Sequence, residues 1–285
     1  EDGSRVAIVS PNNNSGAGPT RVYAFDGGTW LPLGQTIEVE AGEDLSSGAV
    51  SLNRSGNTLV FGAPHNDSSS DAAGRVHVYR FDGTRWNQLG QNIDGKRRLE
   101  LLGRSVSLDS VGNTLAAGAA GKVRLYRFNG TDWAQLGQDI IADRSGSTFG
   151  TSVSLSGDGQ TIVIGAHRNS GQGFQTGQVR VFRFSEGTWN QLGRDLTGRS
   201  TNAQFGWSVS GDDNGQTIVV GAPRHSVNYA TFGQVRAFRL LPAAVGVIEN
   251  DDTASLSVDD VAAVEGLEHT FTVTLDNAVQ GGFDV

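Results

Sequence analysis

Apolar residues fall into short blocks rich in valine, isoleucine, leucine and aromatics, and a glycine-containing turn closes each block. Runs of this kind predict short β-strands, and none has the length and period of a helix. The blocks also return in a fixed order. GRVHVYRFDGTRWNQLGQNI begins at Gly74, GKVRLYRFNGTDWAQLGQDI at Gly121 and GQVRVFRFSEGTWNQLGRDL at Gly177. A worn copy, TRVYAFDGGTWLPLGQTI, starts at Thr20, and a fifth, GQVRAFRL from Gly233, stops before its tryptophan. Fixed-period similarity of this length predicts a repeat architecture.

Each full unit holds four strand-like pieces. The first reads like Ser152 to Leu155 and the second like Thr161 to Ala166. The third is the Val179 to Phe184 type, and the fourth carries a tryptophan: Trp30, Trp86, Trp133 or Trp189. Gly56-Asn57, Gly112-Asn113, Gly159-Gln160 and Gly215-Gln216 separate the first two strands, and Asp82-Gly83 and Asn129-Gly130 the last two. Such pairs supply the positive φ of hairpin turns. Four antiparallel strands per unit of about 50 residues describe a propeller blade. The expected fold is therefore all-β: a β-propeller of about five four-stranded blades over 1–243, with a β-rich tail over 244–285. Blades stack face to face, which places the tryptophans between them.

Tryptophan spacings of 56, 47 and 56 differ because one loop differs. Between the second and third strands the short unit has only Gly118 to Gly121. The others carry long polar loops, Pro64 to Ala73, His167 to Thr176 and Pro223 to Phe232, with Pro11 to Pro19 in the first unit. All emerge on one rim, where rigid scaffolds bind ligands. The candidate ligand-binding residues are His65, Asn66, Asp67, His167, Arg168, Phe174, Arg224, His225, Tyr229 and Phe232. The three rim histidines sit on different blades, where they either share a metal or anion or serve as polar loop residues.

Composition narrows the chemistry. Cysteine is absent, so no disulfide, thiol nucleophile or cysteine-bound metal exists. Net charge is −8 and 20 of the 22 basic residues are arginine, scattered along the chain. Nucleic-acid binding needs a concentrated positive face, and Lys96-Arg97-Arg98 is too short to make one. No apolar run spans a membrane. No Gly-x-Ser-x-Gly elbow, phosphate loop or His-Glu-x-x-His helix occurs, so no enzymatic activity is expected. Asn13, Asn53, Asn66 and Asn129 each open a glycosylation sequon.

Phe149-Gly150 with Gly165-Ala166, and Phe205-Gly206 with Gly221-Ala222-Pro223, resemble the FG-GAP repeat of integrin-α-type propellers. Gly62-Ala63-Pro64 keeps the second half of that signature, and Gly48 and Gly103 keep the first glycine. The resemblance covers roughly residues 1–241. It implies an extracellular or cell-surface propeller used for adhesion or recognition. Such repeats often bind calcium in the hairpin between the first two strands. Here those hairpins hold zero, one, one and two carboxylates, against the six to eight oxygens that calcium takes. They read as plain turns, with Asp212 and Asp213 the remaining Ca2+ candidates. The tail, from Ile248 through Val285, resembles the opening strands of a Calx-beta domain. That likeness makes Glu265, with Asp259 and Asp260, an incomplete Ca2+ site or a solvated acidic turn.

The first unit lacks its first strand and the fifth lacks its tryptophan strand, so a ring of these units is short of strands. Val245 to Ile248, Ala254 to Val258 or Thr270 to Leu275 are expected to complete it, or else a strand from another molecule. The expected function is a non-enzymatic extracellular structural or adhesive propeller. It would belong to a larger surface or matrix protein and assemble through β-strand completion with copies of itself or other surface components. The alternative is a glycan-binding, lectin-like propeller using the long rim loops.

Overall fold

The computed structural model describes residues 3–10, 18–39, 45, 48–67, 69–227, 230–231, 233–240, 256–258 and 273–275. Five antiparallel sheets form the blades of a β-propeller. Blade 1 has three strands, β1 (Arg5–Val9), β2 (Thr20–Phe25) and β3 (Trp30–Pro32). Blade 2 runs from an inner strand outward: β4 (Val50–Leu52), β5 (Thr58–Ala63), β6 (Arg75–Phe81) and β7 (Trp86–Gln88). A two-residue strand, β8 (Ile93–Asp94), pairs with the start of β6. Blade 3 repeats this with β9 (Ser105–Leu108), β10 (Thr114–Ala119), β11 (Lys122–Phe128), β12 (Trp133–Gln135) and β13 (Ile140–Ile141). Blade 4 has β14 (Ser152–Leu155), β15 (Thr161–Ala166), β16 (Gln178–Ser185), β17 (Thr188–Gln191) and β18 (Leu196–Thr197). Blade 5 contains β19 (Ser208–Gly211) and β20 (Thr217–Ala222), a rim hairpin of β21 (Ser226–Val227) and β22 (Ala230–Thr231), and β23 (Gln234–Arg239). The short strands β8, β13 and β18 are an addition to the four pieces read from the repeat.

Both faces of the middle blades are buried. Leu59 and Phe61 on one face of β5 pack against blade 1, while Val60, on the other, joins Val76 and Val78 against blade 3. Burial on both sides removes the need for alternation, so β5, β10 and β15 are buried at every residue. Four apolar clusters result, one between each pair of successive blades.

The repeated Phe-Gly and Gly-Ala pairs set how closely blades approach. Phe149 and Phe205 are wholly buried, and Leu102 fills the same place in blade 3. Truncating either phenylalanine to alanine costs about 3–5 kcal/mol. A side chain on Gly62, Gly118 or Gly165 would run into the carbonyl oxygen of Gly103, Gly150 or Gly206 on the next blade, so only glycine fits there. Serines of the inner strands add polar links. Ser105 and Ser152 Oγ donate to Gly150 O and Gly206 O at 2.8 and 2.9 Å. Ser107 and Ser154 Oγ accept the amides of Leu155 and Gly211.

The outer edge carries a second link. Trp86, Trp133 and Trp189 are buried, and each indole N–H donates to a carbonyl of the preceding blade, Leu33, Leu89 or Leu136, at 2.8–2.9 Å. Two residues after that leucine, Gln35, Gln91 or Gln138 clasps the tryptophan backbone. Its Nε2 donates to the tryptophan carbonyl and its Oε1 accepts the tryptophan amide, at 2.7–3.0 Å. The intervening Gly34, Gly90 or Gly137 lies under the indole at positive φ, and a Cβ there would come within 2.8–2.9 Å of the ring. Trp-x-x-Leu-Gly-Gln is therefore a clasp between blades. The copy in blade 4 ends in Arg194, and blade 5 has no tryptophan strand to hold.

The seam between blade 5 and blade 1 is unlike the other four. Val6 and Ile8 occupy the places that Leu59 and Phe61 fill in blade 2, yet they are 37% and 49% exposed. Across the seam Val219 and Val235 are 39% and 72% exposed. Trp30, expected between blades, is 46% exposed, and among the described residues no leucine, glycine and glutamine of another blade clasp it. At one end of the axis the inner hairpins are linked in series. Arg54 N–H donates to Ser110 O, Ser110 N–H to Gly157 O and Gly157 N–H to Asp213 O, at 2.9–3.2 Å. Arg54 Nη1 then meets Asp213 Oδ2 at 2.8 Å, joining blade 2 to blade 5 where blade 1 has no inner strand among the described residues. Both side chains are more than half exposed, so the pair contributes at most about 1 kcal/mol.

Leu256–Val258 (β24) and Val273–Leu275 (β25) pair with each other, antiparallel, and with no blade among the described residues. Val245 to Ile248 lies outside the described residues.

Gln91→Ala removes both hydrogen bonds to the Trp133 backbone and is expected to lower unfolding free energy by about 1–3 kcal/mol in a urea titration. Arg194→Ala, at the same repeat position, is exposed and is expected to stay within about 0.5 kcal/mol of the parent. Equal losses at both positions would contradict the clasp.

Candidate functional site

The rim loops hold most of the residues singled out by sequence. Asn66 is buried, its amide and carbonyl shaping the turn with Ala63 and Gly74, while His65 and Asp67 stay exposed. Asp67 Oδ1 accepts the Ala72 amide at 2.6 Å. Phe174 is 65% exposed, and its carbonyl accepts the Asn202 amide. Arg224 is exposed, and His225 Nδ1 lies 3.0 Å from Ser200 Oγ. Tyr229 and Phe232 lie outside the described residues. His167 and His225 keep separate partners on separate blades. Among the described residues no three His, Cys, Asp or Glu side chains gather as a metal site.

One histidine organises its surroundings. His167 is buried, with Nδ1 3.2 Å from Thr148 Oγ1 and 3.1 Å from Thr151 Oγ1. Its ring packs on Trp207, centroid to centroid 4.7 Å, and Trp207 is half exposed. Burial, with repulsion from Arg168 and Arg104, pushes the imidazole down to about 4. Burial and Arg168 also lower Arg104 from its ordinary value, and it stays charged.

Beside this group an open cleft of about 500 Å³ lies between residues 143–147 and the loop at 168–170. Its lining includes Arg144, Arg168, Asp143, Ser147 and Ser170. Ser147 is 3% exposed, and its Oγ has no hydrogen-bond partner. No carboxylate of the described residues lies within ion-pair distance of Arg104, Arg144 or Arg168. Arg144, Ser147, Arg104 and Trp207 were not among the sequence candidates. Arg104 and Trp207 follow the first glycine of the FG-GAP signature, where Ala49 and Thr151 stand in other blades. Variation at one fixed repeat position was the available signal.

The axial hairpins are occupied by their own turns. Asn53 Oδ1 accepts the amides of Asn57 and Thr58, and Asp109 Oδ1 that of Asn113. Asp212 Oδ1 accepts those of Gln216 and Thr217 at 2.8 and 3.0 Å. Burial raises the Asp212 pKa, but the Thr217 and Gln216 donors outweigh it and leave it below the ordinary carboxylate value. Asp213 is engaged with Arg54. Asp259, Asp260 and Glu265 lie outside the described residues, as does Asn13. Asn53 and Asn66 are each 3% exposed, so the folded chain has no room for a glycan on either; Asn129 is exposed and its Oδ1 caps its own turn. Of the repeated strand arginines, Arg80 reaches the next blade's hairpin, donating to Gly112 O and Asn113 Oδ1 at 3.2 and 3.0 Å.

A family model described as FG-GAP repeat matches residues 143–182, which span the Phe149-Gly150 and Gly165-Ala166 pairs and the walls of the cleft. No curated protein matches the chain. Among solved structures, hydrazine synthase of Kuenenia stuttgartiensis is similar at a TM-score of 0.52 and 13% identity, over 84% of this chain and 60% of that one. A KlHsv2 variant with loop 6CD replaced by a Gly-Ser linker follows at 0.49 and 13%, over 91% and 64%. Kluyvelomyces marxianus Hsv2 gives 0.47 and 12%, over 78% and 60%. The chain thus spans about three fifths of the length of these structures, and the first shares its fold.

His167 gives a pH signature. Its folded pKa of about 4 lies below the unfolded value near 6.5, so the unfolded chain binds the additional proton. The stability that neutral His167 contributes is complete above about pH 6.5 and declines as pH falls to about 4. His167→Gln is expected to flatten that part of a pH series of thermal melts. A variant as steep as the parent would rule the assignment out.

Proposed function

We propose that this chain is a non-enzymatic, extracellular structural or adhesive module that assembles by completing its open seam with a second copy. The exposed seam carries the reading. Blade 5 presents Val219 and Val235, the face that in every other blade packs on its successor. Blade 1 presents Val6 and Ile8, the face that elsewhere packs on its predecessor. The two faces differ and are complementary, so the contact is head-to-tail and extends into a filament unless it closes on itself.

Main-chain pairing is available along the same seam: among the described residues β23 has one partner strand, β20. The clasp is incomplete on both sides of blade 5: Leu192 and Gly193 of blade 4 meet no blade 5 tryptophan, and Trp30 of blade 1 meets no blade 5 leucine, glycine and glutamine. Strand addition at such an edge supplies main-chain hydrogen bonds, and the clasp residues add selectivity. The FG-GAP likeness and the lack of cysteine and methionine fit a surface or matrix setting.

Sedimentation velocity of the full chain over a rising concentration series is expected to show growing oligomers. Ile8→Asp or Val235→Asp is expected to return them to monomer at the same concentrations. A monomer throughout, or seam variants that assemble like the parent, would refute the reading.

A further inference from the structure

We propose that the cleft between residues 143–147 and 168–170 binds an acidic saccharide, a sugar carrying a carboxylate or a sulfate. The lining dictates this chemistry. The cleft walls named above are two guanidiniums, hydroxyls and one carboxylate, which suits a polyhydroxylated ligand. Arg144 reaches over the opposite loop, its Nε 3.7 Å from where a Cβ of Gly171 would stand. It is exposed, as is Arg168.

Charge selects the anion. The whole chain carries −8, yet at this edge Arg104, Arg144 and Arg168 meet a single lining carboxylate, Asp143, that pairs with none of them. Arginine's planar fork matches a carboxylate or sulfate in two-point contact. The Ser147 hydroxyl is a second, independent pointer. It is buried, lines the cleft and has no partner in the protein, and such groups are costly unless a ligand or water satisfies them. Asp143 is an acceptor for sugar hydroxyls. Next to Arg168 in the chain, His167 holds Trp207 with half its surface open, so an aromatic face lies beside the charged cleft. Sugar rings place their C–H faces on such surfaces while their polar edges take hydrogen bonds.

The site is separate from the seam, and the two proposals fail independently. The test uses the full chain with Val235→Asp added, so that assembly does not contribute avidity. Isothermal titration is run with oligogalacturonate, a sulfated oligosaccharide and a neutral cello-oligosaccharide. Binding is expected for at least one acidic ligand, and the ligand bound identifies the anion. Arg144→Gln and Arg168→Gln, both on the surface, are expected to weaken it at least about tenfold each with an unchanged melting temperature. Thr84→Ala, on a remote turn, is expected to leave it unaltered. Absence of binding to either acidic ligand, neutral ligand bound equally well, or acidic binding that survives both arginine substitutions would each overturn the proposal.

Discussion

The propeller depends on how closely one backbone can approach the next. Gly62, Gly118 and Gly165 lie against the glycine carbonyls of the following blade with no space for a side chain. That contact fixes blade spacing at the rim end of the inner strands. With the spacing set, the buried Phe149 and Phe205 fill the wedge behind it, and the inner-strand serines come within hydrogen-bond reach of their neighbours. Farther from the axis blades diverge, and a larger filler is needed. Tryptophan provides it, held by a leucine carbonyl and a glutamine amide. Blades 2, 3 and 4 are thus attached to one another by a close contact inside and a long reach outside, and the local twist of the sheets accommodates both.

Much of this was legible in the sequence, because what recurs at a fixed period must perform the same task in each unit. Strand count, the Gly56-Asn57 type of turn and the placement of Trp86, Trp133 and Trp189 followed directly. Trp30 did not, because its environment depends on a neighbouring leucine, glycine and glutamine that the described residues do not bring to it, and identity within a motif cannot report a missing partner. The glutamine clasp was visible as a repeated letter, but its meaning needed geometry: a side-chain amide that pairs like a strand. Glu100 shows the reverse case. It occurs once, in the connection before the short-looped blade. It is buried with Lys122 and Arg124 at 2.5 and 2.6 Å and also accepts the Arg97 amide. No period points to such a residue. The cleft was hidden for the same reason, since Arg144 and Ser147 belong to a single connection, and only Arg168 and Ser170 lay in a loop the repeat had marked.

The rim and the seam divide the molecule's labours. The rim loops vary most, and the residue after the first signature glycine also changes: alanine, arginine, threonine and tryptophan all occur there without disturbing the glycine contacts. The scaffold therefore tolerates new surface chemistry on one rim. The seam leaves apolar faces uncovered, and soluble proteins rarely expose such faces without using them.

Because the glycine contacts of blades 2, 3 and 4 are alike, these contacts between blades contain no information about how many blades there should be. Duplicating or deleting one whole unit of about 50 residues would leave each survivor facing the surfaces it faces now. Blade number in such a chain can drift by whole modules, with closure decided only at the two outermost ones.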